Sequence, residues 1–154
     1  MKIMGENGVG SILKLILQIS FVIGIIFLVI LPLSLPLIGE YYTEFVIELY
    51  PNGICFLIIV KQFIGLFDSL KKNNPFCDNT VKRLKTSGIA STLIAIILAV
   101  IIIYEMFFAK GTPLFIVITC CLCILFTGVS IAFYILSELF RQAVQYKKEN
   151  ELTI

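Results

Sequence analysis

The chain reads as four long apolar runs separated by polar breaks. The runs cover about 12–35, 46–70, 87–109 and 114–137. None alternates apolar and polar residues with period two, so none reads as a strand. About 20 apolar residues of helix cross a hydrocarbon core of about 30 Å, and each run is close to that length. A backbone in lipid must satisfy its own hydrogen bonds, which leaves helices or closed barrels, and continuous apolar runs select helices. The pattern predicts an all-α polytopic membrane protein. It is a four-transmembrane-helix bundle forming a single integral membrane domain over residues 1–154.

The longest polar interval, Asp68 to Gly88, separates the second and third runs. Its middle loop covers 71–86. Asn74 or Cys77 can cap a helix there, with Pro75 fixing the entry. Cys77, Val81, Leu84 and Gly88 share one face of that helix. Asp78, Lys82 and Lys85 share another, with Asp78 and Lys82 at the favourable i,i+4 spacing. The helix leads into the third run. After the fourth run the helical pattern continues through Glu138, Arg141, Gln145 and Lys148 into a charged tail, 138–154.

Two further breaks shape the other end. Pro32 and Pro36 end or kink the first helix. The segment 37–53 carries Glu40, Glu44 and Glu48 at spacing four, with no Lys or Arg. Tyr41, Tyr42 and Tyr50 suit an interfacial aromatic belt. Because Tyr50-Pro51-Asn52-Gly53 is a break signal, two arrangements fit. Either 41–53 lies along the surface as an outer interfacial helix, or the second span begins near Phe45 and bends at Pro51.

Composition strengthens the membrane reading. The chain is 59% hydrophobic and 14% charged, and its mean hydropathy is +1.03. Soluble domains have about 45–50% apolar and about 25% charged residues, so lipid must solvate much of this surface. The net charge of +2 is too small to indicate direct binding of nucleic acid. Its distribution is more telling. The N-terminal end, the 68–88 interval and the tail, counted with Lys61, hold 11 of the 12 Lys and Arg residues, leaving only Lys110 opposite. Basic residues collect inside. Both termini and the middle loop are therefore expected to be cytoplasmic.

Little here supports chemistry. There is no His, which removes the commonest metal ligand and the usual general base. No nucleophile elbow, phosphate loop or zinc-protease motif occurs. Four of the five Cys fall in apolar runs, where they read as small adaptable filler. Cys120-Cys121-x-Cys123 lacks zinc-ligand spacing. No enzyme activity, metal or cofactor is expected. Small and weakly polar residues do recur at helical spacing in the third run (Gly88, Thr92, Ala95, Ala99) and the fourth (Cys120, Cys123, Thr127, Ser130). They read as packing faces. Lys61 stands inside the second run. It is expected either to snorkel or to form an intramembrane ion pair with Asp68 or Glu138, since an unpaired charge at depth is costly.

Asn74-Pro75-Phe76, followed by Val81-Lys82-Arg83-Leu84-Lys85 and Gly88, resembles the middle-loop signature of a bacterial family called domain of unknown function 2975. The closing Glu149-Asn150-Glu151-Leu152-Thr153-Ile154 resembles that family's terminal signature, and the four-run layout matches as well. The chain departs at Cys77 and Thr80, where members often carry Ser or Thr and Asn, so the helix cap is expected to be weaker or shifted. The family has no established biochemical activity. Its members are often encoded beside a small helix-turn-helix regulator. The resemblance thus implies a non-enzymatic protein of the bacterial cytoplasmic membrane, partnered by such a DNA-binding regulator or by a second copy of itself. The expected working surface is Pro75, Phe76, Lys82, Arg83, Leu84 and Lys85 together with Leu152 and Ile154 of the tail. Two other readings stand beside it: an immunity protein against a membrane-active peptide, acting through 37–53, and a subunit of a small transporter.

Overall fold

A computed structural model describes residues 9–34, 40–71, 77–109 and 113–152. All of it but Cys77 is helical. The helices are α1 (Val9–Ser34), α2 (Glu40–Lys71), α3 (Asp78–Tyr104), which runs into a π turn over Glu105–Ala109, and α4 (Pro113–Leu152). Among the described residues there is no strand. All four helices are long and apolar enough to cross a membrane.

The segment around Pro51 is resolved in favour of one long helix. α2 begins at Glu40 and passes through Pro51 without interruption. Pro32 likewise lies inside α1, which continues to Ser34. Proline removes one backbone hydrogen bond, yet spans tolerate it because neighbouring groups re-satisfy the freed carbonyls. Near the end of α1, the Ser34 hydroxyl donates to the Leu31 carbonyl at 2.7 Å. Pro36 lies outside the described residues.

Each helix packs antiparallel on the next in sequence. The core lies between α2, α3 and α4. Ile59, Ala90, Ile94, Leu98 and Ile101 form its buried cluster, lined by Phe63, Phe115, Phe126 and Phe133. The two small-residue stripes, each read as a packing face, meet in part, with Thr127 left exposed. Thr92 and Ser130 hydroxyls lie 2.7 Å apart, Ser130 also donates to the Gly88 carbonyl at 3.2 Å, and the Cys123 thiol reaches the Ala95 carbonyl at 3.5 Å. Lipid supplies no hydrophobic drive between spans, so close approach and such hydrogen bonds do the holding.

α1 stands apart from this core and packs chiefly on α2. Leu57 of α2 lies over Gly24 of α1, and Leu28 of α1 lies over Gly53 of α2; a Cβ on either glycine would come within 2.6 or 2.9 Å of the facing leucine methyl. The Lys14–Asp68 ion pair closes the same seam toward the basic end.

The contacts also set relative depth. On α3 the charges stop at Lys85, and on α4 they resume at Glu138. Those two limits face each other, because Gly88 abuts Phe133 and Tyr134. The Phe133 ring in turn meets Phe63 of α2 edge-on, with centroids 5.6 Å apart. Lys61 therefore lies beside the boundary of the α3–α4 apolar band, not deep within it. Asp68, paired with α1, lies about 10 Å further along α2. The α1–α2 pair thus carries apolar surface further toward the basic end than α3–α4 does.

Candidate functional site at the basic end

The start of α3 is built on a sparse cap. Cys77 is the N-cap residue, in extended conformation, and its side chain makes no capping hydrogen bond to the backbone. Its carbonyl accepts from the Thr80 and Val81 amides at 3.0 and 3.4 Å. Its sulfur lies 3.3 Å from the Thr80 hydroxyl. That hydroxyl holds the Cys77 thiol below its ordinary range. Partial burial opposes the shift, while the Thr80 and Asn79 amides and the Ser69 hydroxyl add to it. Cys77 thus stands at the N-cap without a side-chain cap, the weaker of the two outcomes expected from Cys77 and Thr80.

The extension of α4 remains packed on these first turns of α3. Thr80, Leu84 and Val144 are buried. The Ser137 hydroxyl donates to the Val81 carbonyl at 3.3 Å. At the tip, Lys148 pairs with Asp78 at 2.9 Å. Both groups are largely exposed, so this bridge contributes about 0–1 kcal/mol and orients the surface more than it holds it. The two polar segments, 78–87 and 138–152, form one antiparallel platform beyond the apolar band.

The candidate residues divide into three groups. Lys82 and Lys85 are exposed on the platform. Leu84 is only 3% exposed and serves as packing, so no partner could reach it on this surface. Arg83 turns away from the platform toward α2, where its guanidinium lies directly on Gly65; a Cβ there would overlap it. Pro75, Phe76 and Ile154 lie outside the described residues, and Leu152 closes α4.

The two carboxylates named as partners for Lys61 are engaged elsewhere. Asp68 is taken by Lys14 of α1. Glu138 is taken by Arg141, one turn along its own helix, at 2.8 and 2.5 Å, with Gln142 at 3.4 Å. Lys61 is exposed, and among the described residues no carboxylate pairs with it. The reason is rotational. Phe63 of α2 faces Phe133 of α4, and Lys61, two residues earlier, is turned about 200° from it on the helix, while Glu138 is exposed on α4. Two features had no clear sequence signal as contacts. Lone Gly24, Gly53 and Gly65 inside apolar helices hinted at close approach, but not at their partners. Lys14 and Asp68 stood as isolated charges near the same ends of two successive spans, which in an antiparallel pair brings them together.

Among the described residues no cluster of three or more potential metal ligands occurs, and the five cysteines are free thiols. No curated protein and no solved structure matches the chain. The model of one family, described as protein of unknown function (DUF2975), matches residues 32–154, which take in α2, α3, α4 and the whole platform. The chain belongs to that family.

Proposed function

We propose that this chain is a non-enzymatic binding protein of the bacterial cytoplasmic membrane, with both termini inside and the α3–α4 platform as its working surface. The partner that fits the family resemblance is a small soluble DNA-binding regulator. The observation that carries the reading is the continuity of α4. Its helix runs on through 138–152 after the apolar residues end, packed against α3 by Ser137, Val144 and Lys148. A membrane anchor alone needs no such ordered extension. The platform offers exposed Lys82 and Lys85 on one helix and the tail on the other, a rigid rim for a protein with an acidic edge.

The experiment uses the full-length chain purified from its own membranes. One variant carries Lys82→Gln and Lys85→Gln, and another lacks residues 149–154. Both are expected to reach the membrane at normal abundance, to lose the co-purifying soluble regulator and to change transcription of neighbouring genes. If both retain partner and transcription unchanged, the platform is not the working surface, and the acidic segment 40–48 becomes the segment to test.

A further inference from the structure

We propose that the groove between α2 and α3, at the boundary of the apolar band, binds the phosphate of an anionic phospholipid through Arg83 and Lys61.

Arg83 is half-buried, and its Nε is buried without a hydrogen bond. Among the described residues it has no ion-pair partner. Its guanidinium lies against the α2 backbone at Gly65, with Nη2 2.8 Å from where a Cβ would stand. Lys61 is on the same stripe of α2, one turn from Gly65, so the two cations are neighbours. The acid nearest on that stripe, Asp68, is already engaged by Lys14. Two neighbouring positive charges with no described counter-charge are costly at the edge of an apolar band, and an anion removes that cost.

The geometry selects phosphate and selects lipid. A planar guanidinium grips phosphate oxygens two at a time, while a lysine adds a point charge. Basic pockets between spans at the membrane surface suit anionic headgroups. The groove also continues into the band as apolar surface. Ile54 and Ile58 follow Lys61 on the stripe of α2 and are 43% and 39% exposed; Leu93 on α3, at helical spacing from Arg83 and Thr86, is 46% exposed. An acyl chain can lie along these residues while its phosphate sits at Arg83. Inorganic phosphate would gain nothing from them. Gly65 completes the site, because any side chain there displaces the guanidinium.

This inference is independent of the soluble partner, since Arg83 lies against α2 at Gly65 while Lys85 is turned to the other side of α3. The test takes the full-length protein in neutral detergent and measures its melting temperature with phosphatidylglycerol, with phosphatidylcholine and with inorganic phosphate. Phosphatidylglycerol is expected to raise the melting temperature and the other two are not. Lys61→Gln combined with Arg83→Gln is expected to weaken phosphatidylglycerol binding about tenfold or more. Lys85→Gln, which also removes positive charge, is expected to leave it unchanged. Should the double variant fail to fold, Lys61→Gln alone and Arg83→Lys carry the same comparison, each with a several-fold loss. An equal loss of binding in Lys85→Gln and in the groove variants would overturn the site, showing bulk charge attraction only, and so would groove variants that bind at the wild-type level. Full competition by inorganic phosphate would also overturn it, as would recovery of an acidic second membrane chain crosslinked at position 61 in place of lipid.

Discussion

Cys77 shows how a single residue's surroundings set its chemistry. A thiol at a helix N-cap with a hydroxyl 3.3 Å away favours the thiolate, and the direction of its shift follows. Its alkylation by iodoacetamide, followed by site-resolved mass spectrometry across pH, is expected to have a midpoint below the ordinary thiol value of about 8.5. Thr80→Val keeps the volume and removes the hydroxyl, so the midpoint should move upward. An unchanged midpoint would mean that the helix terminus alone sets the reactivity. Lys14 and Asp68 make the second residue-scale case. Their side chains are 22% and 46% exposed, so solvent screens the pair and the coupling should be modest, about 0–1 kcal/mol. A double-mutant cycle with Lys14→Gln and Asp68→Asn, read by unfolding in detergent, checks it. In the same experiment Lys61→Met and Glu138→Gln should be additive, because Glu138 already has Arg141.

At the scale of elements, α3 and α4 are joined by polar glue, and α1 by shape with one ion pair at its end. Thr92→Val and Ser130→Ala are each expected to cost about 0.6 kcal/mol, with coupling between them, as interhelical hydrogen bonds in bilayers average near that value. Gly24→Val and Gly53→Val should instead detach α1, seen as faster proteolysis of α1 while α2–α4 stay protected. The existence of the four helices was legible because uninterrupted apolar runs have one stable form in lipid. The meeting of the Thr92 and Ser130 stripes was legible for a similar reason, since small residues at helical spacing have few other uses in a span. The fate of Lys61 was not. Its depth depends on how α2 registers against α4 through Phe63 and Phe133, which are separated by 70 positions and lie on helices joined only through α3. Arg83 enters with the family-like motif and not by periodicity, which puts only Asp78, Lys82 and Lys85 on one face; the absence of a side chain at Gly65 lets its guanidinium lie on α2.

For the whole molecule, the stagger between helix pairs has a consequence. The α1–α2 seam carries apolar surface about 10 Å further toward the basic end than α3–α4, and about 20° of tilt, ordinary for spans, levels much of that difference. Spin labels at positions 15 and 85 are expected to report similar depth in bilayers, whereas an upright bundle would put position 15 clearly deeper on the polar side. The orientation of the bundle bears most on the account, because the platform can meet a soluble regulator only if it faces the cytoplasm. Basic residues outnumber acids there, and acids dominate the opposite end at Glu40, Glu44 and Glu48 of α2. The most direct measurement is labelling with a membrane-impermeant maleimide in a background without native cysteines, with single cysteines at positions 85 and 44. The account predicts labelling at 44 in intact cells and at 85 only in inverted vesicles. Labelling at 85 in intact cells, with 44 protected, would contradict it.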